Sequence, residues 1–551
     1  MWVVSDNIGL FWEGNKKPGH SMAASDRNMG KQASIKAVDL PRSAPVEVEL
    51  KLRAPPGSLD QIRTSPVMLQ SARNKGTIRR LETTYYDTTD DQLFHAGLSL
   101  RIRRSGKYFV QTIKRMSVGD PLTRQEWEVP VATLAPDLGA LPVEDIDEIF
   151  SKIAVDQLVP IFVTRVRRHR VTVDMPEGQI EVAFDDGVIE AGSQHAPLCE
   201  VELELKQGRA AALYQFGLGL TDASPLCLET QSKSARGYTL ALGFDPMALK
   251  ASSSNLDNQD TVDEGIAKLL SNCQQQILGN LCPAESGSES NGVHQLRVAL
   301  RRLRTALYIL RRELEAPSLQ SLDAEARRFA RTLGPARNWD VFTNSTLADI
   351  ERANLPGIEF SNLRGACAPF RDQSYDMVRQ SIADPQTNRF LLLLGLAIER
   401  RSWRNEVASE DLRTLAEPVI KFASRVLTRI GRKVLKRGRH FRHLRPQARH
   451  KLRLTLKKLR YATEFFLPLY ASQASTVKYL KQLSRLQDVL GEANDIRTSQ
   501  TLLSNIHEHA ESPEVHRALG AVTGWQGHLE MAGASRLNDR WGRFKRTAPY
   551  W

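Results

Sequence analysis

Two periods of apolar and polar residues divide the chain. From residue 45 to 245 they alternate in many short runs, the pattern of strands with one face buried. From residue 262 to 545, apolar residues recur three and four apart over long runs, the pattern of amphipathic helices. Between the halves, residues 246–261 contain a polar, apolar-poor stretch (251–260) that reads as a linker. A second loose segment, Pro283 to Gly292, reads as a helix–helix loop. Residues 1–44 show no period and are expected to be disordered, with Met22 and Met29 as alternative starts. The expectation is an all-β or α+β domain over 45–245, then an all-α domain over 262–545.

The strands carry charge on one face. Val46 to Leu52 alternates strictly, so Glu47, Glu49 and Lys51 share one face and Val46, Val48, Leu50 and Leu52 the other. Taken alone, this is a surface strand with a solvated charged face. The pattern recurs, however, in Ser99, Arg101 and Arg103; in Arg124, Glu126 and Glu128; in Glu181 and Asp185; and in Glu200, Glu202, Glu204 and Lys206. Lys114 ends a further strand that starts at Tyr108. Many strands with one apolar and one charged face predict a closed antiparallel barrel whose charged faces line a wet lumen. The competing architecture is a sandwich with polar outer faces. Two carboxylates next to a lysine, in the order ExExK, favour the barrel. Converging carboxylates offer hard oxygen ligands to Mg²⁺ or Mn²⁺. Converging Arg and Lys hold phosphate oxygens.

The helical half contains one pattern written twice. His294-Gln-Leu-Arg-Val-Ala-Leu-Arg-Arg-Leu-Arg304 is matched by His450-Lys-Leu-Arg-Leu-Thr-Leu-Lys-Lys-Leu-Arg460. At 100° per residue, His294, Arg297, Arg301 and Arg304 fall in a stripe about 80° wide. Leu296, Leu300, Leu303 and Leu307 take the opposite stripe. His450, Arg453, Lys457 and Arg460 superpose on the cationic set, and Leu452, Leu456 and Leu459 on the leucines. Similar stretches follow each copy, Leu333 to Asp340 and Leu490 to Asp495, so the domain reads as two repeats over about 262–400 and 410–545.

Charge gives this pattern a meaning. The net charge is +13, and from Arg425 to Arg460 fifteen Lys or Arg occur without one Asp or Glu. Such density costs stability by self-repulsion unless an anion offsets it, which implies a polyanionic partner. Few aromatics interleave with the basic residues, Phe441 and Tyr461 among them, so base stacking and hence nucleic acid are disfavoured. The five cysteines form no CxxC pair, so neither a disulfide framework nor a cysteine zinc site is indicated. The most apolar run, Phe390 to Ile398, falls far short of the roughly 18–20 residues of a membrane span. A cytoplasmic protein is expected.

Glu47-Val-Glu-Leu-Lys51, Tyr85-Tyr-Asp-Thr88, Gly97 to Arg103, Thr112-Ile-Lys114, Glu200 to Glu204 and Ser232-Lys-Ser-Ala-Arg-Gly-Tyr238, in that order, resemble the CYTH family of triphosphate tunnel metalloenzymes. The resemblance implies metal-dependent hydrolysis of a triphosphate in an antiparallel β-barrel tunnel. It implies that Glu47, Glu49, Glu202 and Glu204 help hold the metal, with Asp185 as a further acidic residue; Glu200 lies on the same face, so the register there stays open. Lys51, Arg101, Arg103, Lys114 and Lys233 are implied to bind the triphosphate. Arg168 is the choice for a late tunnel arginine, with Arg165 and Arg170 as alternatives. Arg124 and Glu126 are further lumen residues.

The repeated helices resemble the CHAD domain, which implies a duplicated helical bundle whose basic groove binds inorganic polyphosphate through His294, Arg297, Arg301, Arg304, His450, Arg453, Lys457 and Arg460. The pairing points to inorganic triphosphate as substrate and polyphosphate granules as a place of action. The alternatives are a granule-associated polyphosphate binder with little catalysis, or a CYTH enzyme acting on thiamine triphosphate or nucleotides, adenylate cyclase included. Protein partners stay open.

Overall fold

A computed structural model describes residues 46–115, 122–140, 150, 152–410, 412–471 and 474–551; the N-terminal segment expected to be disordered lies outside the described residues. Eight antiparallel strands close into the predicted barrel: β1 (Val46–Arg53), β2 (Thr77–Thr88), β3 (Leu98–Ser105), β4 (Tyr108–Arg115), β5 (Thr123–Val131), β6 (Leu158–Met175), β7 (Gly178–Ala191) and β8 (Gln194–Gly208). Their order is β5-β4-β3-β2-β6-β7-β8-β1, and β1 closes the circle on β5. β1 does this by dividing its partners. Val46 to Val48 pair with β5, and Glu49 to Arg53 with β8. A short β9 (Cys227–Glu229) pairs with β1 from outside the circle.

The alternation read from the sequence decides what faces where. Leu50, Leu52, Val182, Val201 and Leu203 point outward and are buried beneath helix α1 (Ala211–Thr221), against Leu213, Phe216 and Leu220. Tyr85, Phe162 and Val166 share strand parity with Arg101 and Arg168, face inward, and are capped by α2 (Lys233–Leu242) through Tyr238. α2 lies so close that a Cβ on Gly237 would stand 2.0 Å from the Phe162 ring, so only glycine fits there. With its apolar outside covered, the barrel turns its charged faces to the lumen.

The helical half begins with α3 (Val262–Leu278) and α4 (Leu281–Ser286). α4 occupies much of the segment expected as a loop. It ends at Gly287, in the left-handed region (φ 70°), and α5 (Ser290–Leu310) starts three residues later. α6 (Pro385–Arg400), α7 (Val419–Arg437), α8 (Pro446–Phe466), α9 (Ala474–His509) and α10 (Pro513–Lys545) follow among others. The duplicated helices are α5 and α8. Their leucine stripes, Leu296, Leu300, Leu303 and Leu307 with Leu452, Leu456 and Leu459, are buried in one shared core. The two copies also cross. Lys458 Nζ stands 3.5 Å from the Tyr308 ring centre, and the equivalent Arg302 lies 3.5 Å from Glu464 and over the Phe465 ring. No described helix is long and apolar enough to cross a membrane.

The stretch read as linker connects the halves but is not a free tether. Ser254 and Leu256 are buried, and Ser254 Oγ donates to Phe465 O at 2.6 Å. Asn272 Nδ2 donates to Ser252 Oγ and Ser253 O. The polar side chains that suggested solvation satisfy backbone groups instead. The halves also touch directly. Leu392 and Leu396 of α6 join the barrel's outer core, and a Cβ on Gly395 would stand 2.2 Å from the Tyr214 ring of α1. Arg53, the last residue of β1, pairs with Glu285 of α4 at 2.8 Å.

Candidate active site and basic groove

Side chains opposite one another in an antiparallel sheet point to the same face. β1, β8 and β7 therefore build rows across the lumen. Glu49 lies opposite Glu204, which lies opposite Glu181. The next row is Lys51 and Glu202. On the facing wall, Ser99 is level with Lys114, and Lys114 with Glu126. These residues, with Glu47, Arg101, Arg103, Arg124, Glu128, Arg168, Arg170, Lys206 and Lys233, line one cavity of about 450 Å³.

Two electrostatic regimes share this cavity. At the buried end, charges are matched. Lys51 Nζ is 2.8 Å from Glu49 and 2.5 Å from Glu202. Lys233 Nζ is 2.8 Å from both Glu202 and Asp185 and also pairs with Glu200. Arg168 holds Asp185 with two hydrogen bonds, 2.7 and 2.5 Å, and reaches Glu202 at 2.5 Å. Burial alone would raise the Glu202 carboxyl, but Lys233, Lys51 and Arg168 hold it well below the usual carboxylate range.

Toward the middle and the outer mouth the matching is only partial. Lys114 bridges Glu47 (2.7 Å) and Glu126 (2.8 Å), and Arg124 reaches Glu49 at 2.5 Å. The neighbouring Arg101, together with burial, pulls the Arg103 guanidinium down to about 10. Among the described residues, the buried Nε atoms of Arg101 and Arg103 have no hydrogen-bond partner. Across the lumen, burial pushes the Glu204 carboxyl up, and the Glu47 and Glu181 carboxylates add to it against Lys206. An under-compensated Arg103, beside an Arg101 held by Glu126 at 3.1 Å, thus faces under-compensated carboxylates. Polar groups left in that state await partners.

A second concentration of charge lies between α5 and α8. Arg297, Arg301 and Arg337 sit close enough to lower one another's or His294's proton affinity. Burial, with Arg301 and Arg453, pulls the Lys457 amine down to about 7. Burial, then Arg337, Arg301, Arg297 and Lys457, takes the His294 imidazole down to about 4. Among the described residues, His294 Nδ1 and the Nε atoms of Arg297 and Arg453 are buried without partners. Asp495 is an acid facing this group; burial raises its carboxyl, and Arg453 and Lys457 oppose that.

Models of two families match this chain in succession, the CYTH domain over residues 46–238 and the CHAD domain over residues 268–504. The chain joins a CYTH domain to a CHAD domain. It is similar to an inorganic triphosphatase of Haemophilus influenzae, 33% identical over 167 residues, which cover 29% of this chain and 46% of that protein. The match thus spans about half the length of that relative. Among solved structures, it is similar to the CHAD domain from the plant Ricinus communis (25% identity, 55% of this chain, 97% of that one, TM-score 0.45). It is also similar to a Hippeastrum protein described as a putative adenylyl cyclase with a dominant triphosphatase activity (20% identity, 35% and 95%, TM-score 0.27).

Strand parity sorts the arginines left open in the CYTH strand β6. Arg168 and Arg170 line the lumen, whereas Arg165, an odd number of residues away, points out and pairs with Glu82 and Glu190. Glu200 is buried with Lys233 and Arg236 (3.1 Å) rather than among the lining residues. Arg170, an alternative for the late arginine, lines the cavity together with Arg168, and Glu181 and Lys206 line it without having been expected as site residues. Their signal was present, since each shares a face with a predicted lumen residue.

In the CHAD domain, His294, Arg297, Arg301, Arg453 and Lys457 come together. Arg304 and Arg460 are instead drawn to Asp323 (3.1 Å) and Glu464 (2.8 Å), and His450 is exposed. Arg337, from the stretch that follows the first repeat helix, joins the group unforeseen.

Proposed function

We propose that the CYTH tunnel hydrolyses a triphosphate, inorganic triphosphate to pyrophosphate and phosphate, and that the CHAD groove binds inorganic polyphosphate. The observation that carries the first part is the lumen itself. Arg101, which holds Glu126 at 3.1 Å, and Arg103, each with a buried Nε that lacks a partner among the described residues, face a row of carboxylates across a cavity of about 450 Å³. The domain match and the triphosphatase relative agree with it.

The donor set suits Mg²⁺ or Mn²⁺, since it consists of carboxylate oxygens. Two acidic groups compete for that role. Asp185, Glu200 and Glu202 bring oxygens within 4.8 Å of one another. Lys51, Arg168, Lys233 and Arg236 already neutralise them, so they serve to fix the cations at the buried end. Glu47, Glu49 and Glu204 are the better ligands, because burial, then the Glu47 and Glu181 carboxylates, disfavour the Glu204 anion against Lys206, and a divalent ion relieves that. When bound, the ion offsets charge on the phosphate oxygens.

The chain's own residues do the rest. Arg101, Arg103, Lys114 and Arg124 hold the phosphate oxygens along one wall, and Lys51, Arg168 and Lys233 complete the buried end. Water attacks the end phosphorus, the bond to the bridging oxygen breaks, and its electron pair leaves on the pyrophosphate. The water proton goes to solvent or product. Positioned cations lower the barrier by stabilising the spread negative charge of the transferring group. Purified protein with Mg²⁺ is expected to release phosphate from inorganic triphosphate faster than from thiamine triphosphate or ATP. Formation of cyclic AMP instead would falsify the hydrolase reading.

The groove reading is supported by buried cations that outnumber the acids facing them, Asp495 and Asp340, a state that a polyanion relieves. It carries a pH dependence. An anion raises the depressed Lys457 proton affinity, so binding takes up a proton wherever the free group is deprotonated. Polyphosphate affinity is therefore expected to rise as pH falls from about 9 toward about 7, and to level below that until His294 protonates. Calorimetry in two buffers of different ionisation enthalpy measures the uptake. A Lys457→Arg protein is expected to lose the dependence above pH 7, and an unchanged slope rejects the assignment.

A further inference from the structure

The tunnel has two ends of unlike chemistry. The outer mouth is charged and open, with Arg170, Glu181 and Lys206 part-exposed. Toward the helical domain, the lumen continues into a second cavity of about 320 Å³ that shares Glu49, Lys51, Lys114 and Arg124 with it. Beyond those shared residues the lining carries no cation of the helical domain, and leucines stand there beside Glu229, Thr230, Gln231 and Gln275. The leucines are Leu228 of β9, Leu249 of the connecting segment, and Leu278 of α3.

These leucines are fixed in place. The fully buried Asn280 accepts the Leu249 N–H at 2.9 Å and donates to Leu249 O at 2.9 Å and Gln276 O at 2.7 Å. A Cβ on Gly279 would stand 2.7 Å from Leu249 Cδ2. The Leu228 N–H donates to Asn388 Oδ1 of α6 at 2.7 Å. All three leucines are thus held by the helical domain or belong to it. Among the described lining residues, every cation of this cavity belongs to the barrel, and the helical domain supplies none. A phosphate pushed past Lys114 and Arg124 would lose water without gaining a positive partner, which is costly for an anion.

We propose that the helical domain sets the substrate length of the tunnel, with Leu228, Leu249 and Leu278 forming an apolar stop that keeps a long phosphate chain from threading through. This rests on the triphosphatase reading and adds a length limit to it. It also separates the two polyanion sites, because a chain held in the groove is not delivered to the tunnel through this end.

The test gives the stop a charge. Leu249→Lys extends the cationic path into the cavity, and Met247→Lys, at its exposed rim, is a second variant should the first fail to fold. kcat/KM is measured with Mg²⁺ on linear triphosphate and linear hexaphosphate. In the unaltered chain, hexaphosphate is expected to be at least about tenfold the poorer substrate, and a lysine variant to narrow that gap about fivefold. Equal kcat/KM in the unaltered chain, or an unchanged gap in a folded variant, overturns the stop. If the unaltered chain cleaves neither, the triphosphatase reading falls. The stop is then judged by thermal stabilisation with the same two phosphates in chains that also carry Arg297→Gln, Arg453→Gln and Lys457→Gln, which removes the groove's contribution, and identical hexaphosphate stabilisation with and without the added lysine overturns it.

Discussion

Replacing Glu47 and Glu49 together by glutamine is expected to lower Mg²⁺-dependent triphosphate hydrolysis by on the order of 10³-fold, or about 4 kcal/mol of transition-state stabilisation. Glutamine keeps the size of each side chain and one acceptor oxygen but removes the charge that holds a divalent ion. The fold is expected to survive, because the nearby lysines keep other partners. Lys51 retains Glu202 at 2.5 Å, and Lys114 retains Glu126 at 2.8 Å. Only Arg124 loses the carboxylate it holds. Phosphate release across a Mg²⁺ titration is the measurement, with circular dichroism as the check on folding. Polyphosphate binding by the same protein should be unchanged, since neither residue touches α5 or α8. A double variant within tenfold of the unaltered rate would remove Glu47 and Glu49 from the metal site.

Neutralising the groove is expected to do the converse. A chain with Arg297→Gln, Arg453→Gln and Lys457→Gln should bind polyphosphate about 10²-fold more weakly at moderate salt. Its log–log salt slope should fall by roughly two, taking about 0.7 per neutralised contact as for a single-stranded polyanion. Triphosphate turnover should persist. The free protein should also melt higher, because three of the charges that repel one another are gone. Titrations at several salt concentrations read the slope. A weakened affinity with the slope intact would mean that the three side chains shape the groove without contacting the anion.

Strand parity made most of the tunnel legible in the sequence. Period-two alternation forces Glu47, Glu49 and Lys51 to one face, and the same rule applied along β6 separates Arg168 and Arg170 from Arg165. What parity does not give is which strands lie side by side. The row of Glu49, Glu204 and Glu181 exists because β8 pairs with both β1 and β7, and that pairing is fixed by long-range packing. The helical wheel likewise placed the cations of α5 and α8 but not their fate. Arg460 is taken by Glu464 four residues on, a pairing readable from spacing. Arg304 is taken by Asp323 on another helix, which is not. The segment from Pro283 to Gly292 misled because its glycines and serines read as one loop. Gly287 and two flanking residues suffice for the turn, and the residues before them stay helical.

The presence of Leu392 and Leu396 inside the barrel's outer core makes the two halves a single article of construction. Neither has a complete interior of its own: the sheet side borrows aliphatic bulk from α6, and α6 keeps its outer face dry only against the sheet. Cutting the chain between them therefore leaves an open greasy scar on the piece that carries the chemistry. Rates measured on such a fragment mix the loss of its neighbour with the damage of the wound, and point changes in the intact chain are the cleaner instrument.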